Sequence, residues 1–366
     1  MAGQAGRRLP LQGGLPPVAA VTGPVVEIAC DESGFSGTNL LDPATPLITH
    51  ASVDLSTGEA AELIATLRSG YRFSPDEVKS RHFPRRPEAG AALRWFLAAL
   101  RGRAHVHLVD KQYFLVTRII DLLLAEPTYA AGTRLAQESR PAAVALYRAG
   151  RPAGPDWDGF LAAFVEMTRT KRRDRPDRQS AERFLQARDA LVRHGLGARA
   201  EAVLRGLDRS RVNAVLDRLG TQDRSIPPPL EPMLPALAET VLFWSDGDRR
   251  VLVTHDEQSA LTADRLRRLQ QALTTGIGSS PTGNAEPSAG ASPLAGLVMV
   301  DSRDDPRVQV ADLLAGLARR LPGTVDDGPL RPLLSTASPL DPAGDIRTAE
   351  RPRKGSADRA MFTVTH

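Results

Sequence analysis

Four short apolar runs, each followed at once or within two residues by an aspartate, constrain this chain most. Val25 to Cys30 leads to Asp31, His105 to Val109 to Asp110, Val251 to Thr254 to Asp256, and Leu297 to Val300 to Asp301. Runs of that length and β-branched content read as buried strands rather than helices. A further strand is predicted from Leu47 to Leu55. Ser56 and Glu59 then form a capping box that starts a helix reaching about Ser69. Apolar-rich helices are predicted over Ala91 to Leu100 and Tyr113 to Ala125. Strands alternating with helices predict an α/β fold with a parallel or mixed sheet.

From Pro127 to Ile226 the pattern changes to Ala/Arg/Leu helices, with Trp157 to Arg169, Ala181 to His194 and Ala198 to Leu219 as the clearest. We read 127–226 as a helical insertion dividing one α/β domain into 23–126 and 227–322. Leu234 to Trp244 is the first apolar segment after it. The second part carries a helix near Leu261 to Leu273 and another over Pro306 to Arg320. Residues 1–22 read as a disordered arm and 335–366 as a disordered tail; 274–292, poor in apolar residues, reads as a flexible loop.

A chain of 366 residues with 42% hydrophobic and 25% charged residues is long enough for a substantial core. Its net charge of +4 is too mild to name a partner by itself. Cys30 is the sole cysteine, which excludes an internal disulfide and a cysteine-rich zinc module. Pro10, Gly13, Gly14, Pro16 and Pro17 break any signal-peptide core, and no run approaches the roughly 20 apolar residues of a membrane span. A cytoplasmic protein is expected. There is no phosphate-binding loop with a following Lys and Ser or Thr, and no Gly-x-Ser-x-Gly elbow.

The aspartates carry the chemistry. In open α/β sheets the ligand crevice lies at the carboxyl ends of the strands, so acids at several such ends meet if the strands run together. Crowded carboxylates raise one another's pKa unless a cation or proton is shared. Mg²⁺ or Mn²⁺, taking oxygen ligands, resolves the repulsion and suits phosphodiester hydrolysis. The alternative for each is an ordinary turn aspartate that accepts backbone N–H groups. Asp31 stands out because Glu32, Ser33, Gly34, Phe35, Ser36 and Gly37 follow it, two glycines permitting a sharp turn. Asp256 is flanked by His255, Glu257 and Gln258. Asp301 looks more like part of a turn with Ser302, Asp304, Asp305 and Pro306.

Asp312 belongs to the predicted final helix, where Val310, Ala311, Leu313, Leu314 and Leu317 mark a buried element. Gln309 and Asp312, three apart, share a face with Gly316. A buried carboxylate there needs a metal or a hydrogen-bond donor. Lys79 and Lys111 adjoin acids and could stabilise phosphate charge. Glu77, with Ser74 and Pro75, reads better as a helix cap than as a ligand. His105 and His107 alternate on one strand; lacking a third ligand in sequence, they read as half-buried strand residues rather than a zinc pair. Arg169, Lys171, Arg172, Arg173, Arg175 and Arg178 could track a phosphate backbone or form a solvated helix end.

Taken together, Asp31-Glu32-Ser33-Gly34, Glu77-Val78-Lys79, Asp110-Lys111, His255-Asp256-Glu257, Asp301-Ser302 and Gln309-Val310-Ala311-Asp312 resemble the domain-of-unknown-function 3800 family, whose members resemble the RNase H-like fold. The resemblance runs from about Val25 to Arg320. It implies a metal-dependent nuclease or related phosphodiesterase with Asp31, an acid on a later strand and Asp312 as metal ligands. Asp110 and Asp256 both stand as that later acid; Glu32, Glu257 and Gln309 are auxiliary. DNA or RNA is the expected partner. The rival readings are an inactive nucleic-acid-binding or scaffold protein of the same fold and a hydrolase of a small phosphorylated metabolite.

Overall fold

The computed structural model describes residues 13–17, 21–37, 39–70, 89–136, 138–169, 178–278, 292–320 and 328–335. Five strands form one mixed sheet: β1 (Val25–Ser33), β2 (Leu47–Val53), β3 (Ala104–Asp110), β4 (Arg250–Asp256) and β5 (Leu294–Val300). Their order is β3-β2-β1-β4-β5. β2 runs antiparallel to both neighbours, whereas β1, β4 and β5 are parallel, so four strands point their carboxyl ends the same way.

β1 outlasts its apolar run. Pairing with β4 ends at Cys30 opposite His255, but pairing with β2 continues through Asp31–Ala51, Glu32–His50 and Ser33–Thr49. The acidic motif therefore lies inside the strand and not in the turn after it. Gly34 makes that turn at φ +98°, where a Cβ would strike the Leu47 carbonyl and the Arg319 side chain. No other residue fits there without displacement.

Alternation along the strands sends side chains to two different layers. On one face Ala29, Ala51, Val53, Val106 and Leu108 pack against α1 (Thr57–Gly70), α2 (Ala89–Ala99) and α11 (Pro306–Arg320). On the other Val26, Ile28, Cys30, Val251 and Val253 pack against α9 (Met233–Ser245) and α10 (Ala263–Gly278). The box at the start of α1 forms as the spacing requires: Ser56 N donates to Glu59 Oε2 at 2.7 Å and Glu59 N to Ser56 Oγ at 3.3 Å.

Following β3, α3 (Lys111–Leu123) is buried along most of its length and carries the sheet's core into a helical layer. That layer contains α4 (Arg140–Gly150), α5 (Pro155–Thr168), α6 (Arg178–Arg193), α7 (Ala198–Gly206) and α8 (Arg209–Gly220), between α3 and α9 in chain order. Two details differ from expectation. The single helix predicted over Ala198 to Leu219 is broken, because Asp208 turns out and caps α8 by accepting Arg211 N at 2.9 Å. α4, not singled out in sequence, is amphipathic and buries Ala143, Leu146, Tyr147 and Gly150 at helical spacing.

The terminal segments also take part. Within the predicted arm, Leu15 exchanges two 2.8 Å backbone hydrogen bonds with Leu297 and so covers the open edge of β5. At the opposite edge Ser335 N donates to Val106 O at 2.8 Å. Both contacts satisfy backbone groups that an uncovered edge would leave unpaired. α10 continues to Gly278, beyond the predicted loop start at Thr274. Residues 279–291, and the tail from 336 onward, lie outside the described residues.

Candidate active site

Asp31 lies on the face of β1 that packs against α11, since Ala29 shares that face and Ser33 Oγ accepts Arg319 Nε at 3.0 Å. On β4, His255 aligns with Cys30 on the opposite face, so Asp256 turns to the α11 side beside Asp31. α11 crosses this face and contributes Asp312. Thr49 Oγ1, donating to Ala315 O at 2.7 Å, ties the helix to β2. Three carboxylates, with Asp31 more than 200 positions before the other two, thus converge on one side of the sheet, near the carboxyl ends of two parallel strands.

Their proximity is electrostatically costly. Burial, then the charges of Glu32, Asp312 and Asp256, push the Asp31 carboxyl well above the usual carboxylate range; the side chain is only 5% exposed. Glu32 points to the other face yet is raised to about 7 by burial and by Asp256. Hydrogen bonds hold the acids in place. Glu32 N donates to Asp31 Oδ1 at 2.6 Å, Gln258 Nε2 to Glu32 Oε1 at 2.6 Å, and Ser302 N to Asp256 Oδ1 at 2.9 Å. Asp312 is only partly buried, contrary to the fully enclosed position its helix suggests, and it lines a cleft of about 570 Å³ between α1 and α11. Gln309 lines the same cleft and donates Nε2 to Arg303 O at 3.2 Å.

Asp110 lies elsewhere. It caps α3, accepting Tyr113 N at 2.8 Å, and burial raises its pKa. Asp31 aligns with Ala51 and Ala51 with Val106, so Asp110 stands two strands across and four residues further along. Ordinary strand spacing makes that separation about 16 Å. The adjacent Lys111 is buried and donates Nζ to Asn39 O and Thr45 Oγ1, both at 2.9 Å, which anchors the β1–β2 loop; burial lowers its pKa to about 8. Glu257 is exposed. Asp301 forms the turn its neighbours suggest, accepting Arg303 N at 2.9 Å. Glu77 and Lys79, like the basic run from Lys171 to Arg175, lie outside the described residues.

The histidines are more deeply placed than half-buried strand residues would be. His105 and His107 are buried on the α9 side, and both ring nitrogens of His105 lack a hydrogen-bond partner while the ring stacks on Phe243 at 3.8 Å. His50 and His255 form a directed chain. His255 Nδ1 lies 2.9 Å from the Asp256 carbonyl and must donate to it, leaving Nε2 to accept. His50 Nε2, 3.1 Å away, is therefore the donor, and His50 Nδ1 accepts from the Thr240 hydroxyl at 2.9 Å. Burial lowers both imidazole pKa values, so both rings are neutral, as this assignment requires. The chain fixes the backbone that presents Asp256. Sequence offered no signal for it, because His50 is a lone histidine in an apolar strand. Glu231, raised to about 7 by burial and in smaller part by Glu32, lies in the Pro-rich segment before α9, where no motif marks it.

Among the described residues no three His, Cys, Asp or Glu side chains are already spaced to enclose a metal ion, and no helix is long and apolar enough to cross a membrane. No family model, curated protein or solved structure matches the chain.

Proposed function

We propose that this chain is an RNase H-like protein of the domain-of-unknown-function 3800 type that hydrolyses nucleic-acid phosphodiesters with Mg²⁺ or Mn²⁺. The convergence of Asp31, Asp256 and Asp312 on one face carries the reading. Support for the fold comes from the mixed sheet, with the acidic strand β1 at its centre and β2 as the lone antiparallel member.

The donor set fits a hard cation: every candidate ligand is a carboxylate oxygen, and burial, with the added repulsion of Glu32, Asp312 and Asp256, lifts the Asp31 pKa, a cost that a divalent ion would relieve. Asp31, Asp256 and Asp312 would hold it. When bound, the ion supplies Lewis-acid polarisation of the phosphoryl group and a water of lowered pKa. The protein's own residues do the positioning. Gln258 orients Glu32 beside the acids, Ser302 N fixes Asp256, and Gln309 steadies the Arg303 turn at the cleft mouth. Asp110 and Lys111 act at a distance, by capping α3 and anchoring the β1–β2 loop. The sole cysteine, Cys30, is buried and unpaired, which accords with work in the reducing cytoplasm.

The test is incubation of the purified chain with labelled single- and double-stranded DNA and RNA in Mn²⁺. Cleavage by wild type that is lost in Asp31→Asn supports the proposal; inertness of both overturns it. One observation favours a second reading: the carboxylates have not closed into a coordination group. An inactive nucleic-acid-binding protein would show salt-dependent binding indifferent to EDTA.

A further inference from the structure

The cleft between α1 and α11 holds a polar group that the carboxylate site does not account for. Arg68, in the last turn of α1, lines the cleft that Asp312 lines from α11. Its side chain is half-buried with Nε sealed from solvent, and no hydrogen bond or ion pair engages its guanidinium among the described residues. An anion entering the cleft would meet the accessible part of this guanidinium, which has no acceptor already in place.

We propose that Arg68 binds a phosphate of the substrate, seating one nucleotide unit of the strand in this cleft beside the carboxylate site. The inference rests on the phosphodiester reading and adds to it the residue that grips the strand. A guanidinium presents a planar fork of donors suited to phosphate oxygens. The cleft, at about 570 Å³, has room for one nucleotide unit. Its walls are mixed in the way such a unit needs: Ile64 and Pro306 offer apolar surface to sugar or base, and Arg303, 75% exposed, adds positive charge at the rim.

Binding of a short fluorescein-labelled single-stranded oligonucleotide to the full chain, followed by anisotropy in Ca²⁺ across a salt series, tests this. Arg68→Gln should weaken binding about tenfold and flatten the log K against log salt slope by about 0.7, the loss of one phosphate contact. Arg68→Lys should keep the slope and recover part of the affinity, which loss of packing alone would not produce. Competition by a 5′-mononucleotide at equal phosphate concentration identifies a small phosphate ester as the ligand; its failure identifies the strand. Unchanged affinity and slope in Arg68→Gln overturn the proposal, as does absence of binding by wild type. Asp31-dependent cleavage with an indifferent Arg68→Gln leaves hydrolysis standing without the cleft. An Arg68 effect on binding without any cleavage does the reverse.

Discussion

At the scale of single residues, two positions near the site are decided by opposite forces. Gly34 is required sterically: at φ +98° with the Leu47 carbonyl and Arg319 against the missing Cβ, Gly34→Ala should destabilise the chain by about 1–3 kcal/mol, read by chemical denaturation. Asp31 is retained against electrostatics. Burial and three neighbouring acids disfavour its charge, so without divalent metal Asp31→Asn should melt at a higher temperature than wild type. In Mn²⁺ the same substitution should lower the cleavage rate about a thousandfold, the scale expected when several kcal/mol of charge stabilisation is lost. A variant that loses stability in the metal-free state would show that Asp31 serves packing instead.

At the scale of elements, strands and helices divide the aspartates by role. β1 and β4 are adjacent and parallel, and α11 packs over β1 and β2 on the same face, so Asp31, Asp256 and Asp312 share one side of the sheet. β3 points the same way but stands two strands off, and its terminal Asp110 caps α3 instead. Asp110→Ala should therefore cost about 1 kcal/mol of stability while leaving the cleavage rate within about twofold of wild type. Asp256→Asn should abolish cleavage with little loss of stability. Assaying the pair side by side separates Asp256, a principal candidate in sequence, from Asp110, the fourth, and equal losses of cleavage would refute the division. The reason sequence kept both is local: both follow apolar strands, and nothing nearby in the chain records which strands become neighbours. Asp208 at the start of α8 shows the same limit on a smaller scale, since its cap becomes apparent only when the helix on either side is seen to break.

For the whole molecule, the buried acids predict a coupling of stability to pH, and the proposed cation site a coupling to metal. Glu32 and Glu231 are each raised from the ordinary carboxylate range to about 7. Between the unfolded value near 4.5 and that folded value, the folded chain binds more protons than the unfolded chain. Their contribution is then fully present at the acid end and lost as pH rises through about 7. Thermal melts of metal-free protein should accordingly fall by several degrees from pH 5 to pH 8, apart from other groups' contributions. Added Mg²⁺ or Mn²⁺ should restore much of that loss at pH 8 and little at pH 5, because the cation binds the ionised carboxylates. A metal-independent profile would remove the carboxylate cluster as a cation site.

The sequence by itself determined the elements that depend on neighbours in the chain: the apolar strands, the Ser56–Glu59 box, the turn at Gly34 and the bounds of α11. It also named Asp31 and Asp312, one by the glycines after it and the other by its isolation in an apolar helix. Only the tertiary structure decided the strand order that sets Asp256 beside Asp31 and leaves Asp110 apart. It alone placed Arg68 across a cleft from Asp312, and His50 behind Asp256 through His255. These are contacts between distant segments, chosen by which hydrophobic faces bury together, and short-range pattern holds no record of that choice.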